Sequence, residues 1–140
     1  MTLTIGTGPF GERSNGTFNF DTKMLRAHTL YLEDSPRWVR VMLGGETVAD
    51  SKRVKLLHES GHLPVYYFPE EDVRMEFLEE SDHTTSCPFK GEALYWSVRA
   101  GDKVAENAVW SYPEPIDSAP PIGGYLAFYW PMMDAWFLSC

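Results

Sequence analysis

Two cysteines in 140 residues, Cys87 and Cys140, are too few for the disulfide framework that holds small secreted domains together, so both read as free thiols in a reducing compartment. Basic residues are scarce as well: 12 Lys and Arg stand against 20 Asp and Glu, a net charge of −8. With no cationic cluster longer than Lys52-Arg53, the chain repels phosphate backbones, which disfavours a nucleic-acid partner. No stretch approaches the roughly 18 uninterrupted apolar residues of a membrane span. Residues 1–20 have neither the basic start nor the apolar run of a targeting peptide. A cytoplasmic protein without a membrane partner is expected. Also missing are the phosphate-cradling GxxxxGK[ST], the dinucleotide fingerprint GxGxxG, the nucleophile elbow GxSxG and any paired CxxC. Neither a cofactor nor a metal site is therefore expected. His58-x3-His62 and His83-x3-Cys87 have ligand-like spacing, but on segments that do not read as helices.

What is present is a globular composition, 44% hydrophobic and 14% aromatic, in a length that suits one domain with its own core. Residues 1–27, punctuated by Gly6, Gly8, Pro9, Gly11 and Gly16, read as an extended N-terminal arm. Residues 28–140 read as the domain. Within it, Trp38 to Leu43 has the β-branched and aromatic content of a strand, Gly44-Gly45 a tight turn, and Thr47 to Asp50 the returning strand. Val54 to Leu57 leads to a turn around Gly61, and Pro64 to Phe68, Ala93 to Val98, Val104 to Tyr112 and Ile122 to Trp130 read as further strands. Pro69 followed by Glu70, Glu71 and Asp72 predicts a short helix with Val73, Phe77 and Leu78 facing the core. Met132 to Leu138 predicts a second. Pro113, Pro115, Pro120 and Pro121 mark an extended connector. The fold class is mainly β: a compact sandwich or partly open barrel with one or two short helices.

Gly45-Glu46-Thr47-Val48-Ala49-Asp50-Ser51 and Gly101-Asp102-Lys103-Val104-Ala105-Glu106-Asn107 share the pattern Gly, acid, any, Val, Ala, acid, small polar. This suggests two related hairpin units, or else hairpins converging on the same turn chemistry. Strand alternation places Asp50 on the face of Val48 and Glu106 on the face of Val104. An acid sharing a face with a core valine is a candidate for proton transfer; the other reading leaves both acids at strand ends in water. Thr84 to Gly91 combines hydroxyls, a thiol and Lys90, with Lys90 a candidate anion or oxyanion partner and Cys87 either a pocket residue or a plain buried thiol. Tyr67, Tyr95, Trp110 and Tyr112 sit in or beside strands and are either core residues or the walls of a small-molecule pocket.

Taken in order, Val39-Arg40-Val41, Val48-Ala49-Asp50-Ser51, Tyr67-Phe68-Pro69, Cys87-Pro88-Phe89-Lys90-Gly91, Tyr95-Trp96, Trp110-Ser111-Tyr112-Pro113-Glu114-Pro115 and Gly124-Tyr125 resemble the DUF427 family. The resemblance runs from about His28 to Trp136 and implies a compact, mainly β domain. The family carries a nucleotidyltransferase-like label, but the Gly-Ser and paired-aspartate constellation that metal-dependent nucleotidyl transfer needs is missing here. The leading expectation is an isomerase, cyclase or lyase acting on a small metabolite. Glu106 and Asp50 would transfer protons and Lys90 would hold an oxyanion, while Tyr67, Cys87, Tyr95, Trp110 and Tyr112 would contact the substrate. The alternative is a non-catalytic small-ligand-binding or protein-interaction module. Self-association is left open.

Overall fold

The structure is a computed structural model that describes residues 28–139. The expected N-terminal arm and Cys140 lie outside the described residues. Ten strands follow one another: β1 (Leu30–Asp34), β2 (Trp38–Leu43), β3 (Glu46–Ser51), β4 (Lys55–Glu59), β5 (Val65–Pro69), β6 (Leu78–Cys87), β7 (Gly91–Ala100), β8 (Lys103–Ser111), β9 (Tyr125–Phe128) and β10 (Ala135–Ser139). They form an open sandwich of two antiparallel sheets. The larger has the order β1-β4-β5-β9-β8-β7-β6 and the smaller β10-β2-β3.

Period-2 alternation decides which side chains meet. In β2 the inward set Val39, Val41 and Leu43 is buried while Trp38, Arg40 and Met42 are only partly covered, the pattern of a strand with one face on a core. These residues pack with Val48, Phe68, Val98, Val109, Leu126 and Phe128 to form the main core between the sheets. Because neighbours along a strand point to opposite faces, Tyr67, Ala127 and Trp110 fall on the other side of the large sheet. There they join a second cluster with Leu57, Ala93, Tyr112 and Ile122. The large sheet is thus apolar on both faces, and the described residues cover its outer one only in part. The proline-rich connector contributes Ile122, fully buried, to that cover.

The two similar hairpins lie in different sheets, β2–β3 in the small one and β7–β8 in the large, and their turns meet. Gly44 and Gly101 have φ of +59° and +57°, and a Cβ on either would collide with the backbone of the other turn, the Ala100 carbonyl for Gly44 and the Gly44 carbonyl for Gly101. Only glycine satisfies both the left-handed backbone and the close approach. Asp134 ties the turns together, accepting from the Gly44 N–H at 2.8 Å and from Lys103 Nζ at 2.6 Å.

Three local expectations are corrected. The helix predicted after Pro69 is two single 3-10 turns, Glu70–Asp72 and Met75–Phe77. Between them Val73 is extended and bridges Ala49, so a tertiary strand contact overrides the favourable helix start. Leu78 then opens β6, an edge strand whose largely exposed side chains give it no hydrophobic period to read. The terminal helix expected over Met132 to Leu138 is β10, because Trp136 and its neighbours pair along the open edge of β2. Among the described residues no helix is long and apolar enough to cross a membrane.

Candidate functional site

The uncovered part of the large sheet's outer face is a cleft of about 510 Å³. Leu57 and Glu59 come from β4, Val65 and Tyr67 from β5, His83 from β6, Tyr95 from β7, and Asn107 and Trp110 from β8. His62 and Leu63 project from the β4–β5 turn, while Lys90 stands in the β6–β7 turn. Tyr112 follows β8 and Tyr129 follows β9.

At the centre is an ion pair. Lys90 Nζ lies 2.8 Å from Glu59 Oε1, with side chains only 13% and 8% exposed. The other carboxylate oxygen of Glu59 lies 2.8 Å from His28 Nε2 and 3.8 Å from His62 Nε2. Burial alone would push the Glu59 carboxyl up, but the hydrogen bonds from Lys90 and His28 overcome it and hold the carboxyl below its ordinary range. Burial likewise opposes the charge on Lys90, and the bond to Glu59 with the nearby phenols of Tyr67 and Tyr112 outweighs it, so the ammonium is raised. Both charges therefore persist near neutral pH. The Lys90 ammonium also lies 5.2 Å from the centre of the Tyr112 ring, a cation–π distance.

Tyr67 is 1% exposed, and burial pushes its phenol up to about 12. Its oxygen accepts from the Trp110 indole N–H at 3.3 Å, which leaves the Tyr67 O–H to donate elsewhere. Lys90 and Tyr67 both line the cleft, and each carries a proton donor. Around them, Tyr95 shares a 3.0 Å hydrogen bond with Thr85 and packs its ring 4.6 Å from His83. Asn107 reaches the rim through a β-bulge: Trp96 pairs with Val109 and Val98 with Ala105, so residues 106–108 bow out opposite Ser97. Asn107 takes φ +50° there, a conformation asparagine tolerates better than most residues.

The structure therefore brings together five of the sequence-derived candidates, Lys90, Tyr67, Tyr95, Trp110 and Tyr112. Cys87 is a partly buried free thiol packed beside the same cluster; it contributes no lining surface, and its carbonyl accepts the Lys90 N–H at 3.3 Å. Asp50 and Glu106 are elsewhere, both exposed and neither lining the cleft. The expected placement on a core face fails twice. In β3 the pairing slips around Val48, so that Val48 and Ala49 are both buried and Asp50 faces out, accepting from the Trp38 indole at 2.6 Å. In β8 Val104 does share a side with Glu106, but it is the solvent side, Val104 being 47% exposed.

Glu59, His62, His83 and Asn107 were not singled out as site residues from sequence. The spacing of His58 and His62 is a weak marker of the segment, yet the two diverge: His58 bonds Glu33 at 2.9 Å, while His62 faces Glu59. Nothing local connects Glu59 to Lys90, 31 residues on.

A family model described as a domain of unknown function, DUF427, matches residues 31–139. No curated protein matches the chain.

Proposed function

The chain belongs to the DUF427 family, whose description assigns no activity, and from that premise we propose that the cleft is the site of an acid/base enzyme acting on a small carbonyl compound. The observation that carries this reading is the partly buried Lys90–Glu59 pair, with Tyr67 near enough to act on the lysine's charge. A buried ion pair gains the fold little over well-packed apolar residues. One placed in a cleft wall next to a second donor has a use in binding charge.

In this reading the substrate oxygen sits between Lys90 Nζ and Tyr67 Oη. When a proton leaves the adjacent carbon, negative charge collects on that oxygen and both donors stabilise it. His62, which lines the cleft and faces Glu59 at 3.8 Å, accepts the proton, and the carboxylate steadies the resulting imidazolium. Returning the proton to a different carbon gives an isomerase. Expelling a group from the neighbouring carbon gives a lyase, and attack by the enolate carbon on a second electrophilic carbon of the same molecule gives a cyclase. Lys90 keeps the oxyanion role expected from the sequence; the proton passes to His62 in place of Glu106 or Asp50. A reducing cytoplasm suits the free thiol of Cys87.

The test is deuterium exchange. Small ketones and 2-oxo acids incubated in D2O with the protein are followed by proton NMR for loss of the signals beside the carbonyl. Wild type accelerates the loss, and Lys90→Met and His62→Asn abolish the acceleration. Equal exchange in all three proteins overturns the reading. Ligand binding without exchange in the wild type assigns the cleft instead to a non-catalytic binding module.

A further inference from the structure

The carbonyl cleft does not end at its own walls. Leu63, Val65, Trp110 and Tyr129 also line a second hollow of about 250 Å³, whose other walls include Tyr66, Phe128, Trp130 and Trp136. Among the described residues, none that lines the second hollow is charged. Its most distinctive wall is a pair of indoles, Trp130 and Trp136, stacked 4.2 Å apart at 6°, with the Tyr66 ring 6.3 Å from each. Trp136 Nε1 is buried and has no hydrogen-bond partner among the described residues. The rims are apolar and open to water: Leu63 is 86% exposed, Tyr129 52% and Trp130 51%.

We infer that the two hollows are one L-shaped site and that its ligand is amphipathic, with a carbonyl head between Lys90 and Tyr67 and a single flat ring system lying against Trp130 and Tyr66. The inference rests on the head reading proposed above and adds the substrate class. Continuity selects a tail of the same molecule as the occupant, because four residues belong to both hollows. Size agrees: an apolar cavity of about 150 Å³ takes up benzene, so about 250 Å³ admits one ring system. Charge agrees as well. Lys90 and Glu59 carry opposite charges, so the head end adds no net charge while offering hydrogen bonds, and the tail end offers aromatic faces. Closing Leu63 and Tyr129 over the ring removes apolar surface from water, which supplies the affinity.

The experiment uses two ketones with the same head, 2-butanone and 4-phenyl-2-butanone. Each is titrated into the full chain while the indole N–H signals are followed by nitrogen-edited NMR. The phenyl compound is expected to bind at least about tenfold more tightly, from the apolar area of one ring. Trp130→Ala is expected to shrink that advantage below about threefold and leave the 2-butanone affinity unchanged, which also shows that the variant is folded; Trp130→Phe retains the advantage. Equal binding of both ketones by the wild type, or an advantage that survives Trp130→Ala, overturns the tail site. The head reading is judged separately by Lys90→Met, which weakens both ketones if Lys90 holds their oxygen. If Lys90→Met weakens neither, or if neither ketone binds the wild type, the head reading falls and the inference falls with it.

Discussion

Replacing Lys90 by methionine is the sharpest probe of the cleft. The methionine keeps most of the side-chain volume but strands the Glu59 carboxylate, 8% exposed, with His28 at 2.8 Å as its nearest remaining partner. Removing one member of a buried pair costs about 3–5 kcal/mol. The His28 contact and water in the open cleft place this variant near about 3 kcal/mol at pH 7. Removing both charges in Lys90→Met/Glu59→Leu restores most of the loss, to within about 1 kcal/mol of wild type, because no stranded charge remains. The pH dependence follows from linkage. The folded Glu59 carboxyl lies below its ordinary range, so its contribution is complete above the unfolded value near about 4.3 and disappears as pH falls through the folded one. The folded Lys90 ammonium is raised, so its contribution is complete below the unfolded value near about 10.4 and is lost as pH climbs through the folded one. The pair is thus at full strength between these limits. In Lys90→Met the Glu59 carboxyl loses the hydrogen bond and charge of the lysine that lower it while burial still raises it, so it shifts up from its wild-type position, takes up a proton sooner on acidification and relieves part of the penalty. Urea unfolding of the three proteins at pH 7 and pH 5 measures this. A single-variant loss below about 1 kcal/mol at pH 7, a loss that does not shrink at pH 5, or a double variant no better than the single would refute the reasoning.

Gly44→Ala should destabilise by at least about 3 kcal/mol in urea unfolding, since it adds a collision with the Ala100 carbonyl to left-handed strain. Gly45→Ala, with φ +82° but nothing within 4 Å of its Cβ, should cost only about 1–2 kcal/mol; equal losses would show that the turn-to-turn contact is not tight. Burial pushes the Tyr67 phenol up to about 12, so an ultraviolet titration of Tyr67→Phe should lose one phenol from the most alkaline phase, and losing it from an earlier phase would contradict the burial argument. Asp50→Asn and Glu106→Gln, both outside the cleft, should leave ketone binding and deuterium exchange unchanged; a large loss of exchange in Glu106→Gln alone would return proton transfer to that residue.

The strands that carry one buried face were legible because a period of two is written directly into the residue order. Trp38 to Leu43 is predicted and found with the same ends, and the turns at Gly44 and Gly101 announce themselves by residue type. The separation of faces was legible for the same reason: once a strand is placed, Tyr67 and Trp110 must face away from Phe68 and Val109, whereas alternation leaves open whether such a face is core or cleft wall. Alternation misled where a bulge shifts the phase, as at Val48, and where a whole edge strand is wet, as in β6. Bulges and edges depend on which strand lies alongside, and a local pattern holds no record of that.

By itself, then, the sequence determined a mainly β domain of the DUF427 family, its turn glycines, and the residue types that line its cleft. Tertiary structure alone decided which acid enters the site. Twenty acids are much alike in composition, and all solvate well in an unfolded chain. Glu59 becomes different only when β4 and the β6–β7 turn bring it 2.8 Å from Lys90 and out of water. That juxtaposition is set by pairing between distant strands, and desolvation then makes one carboxylate and one ammonium dependent on each other.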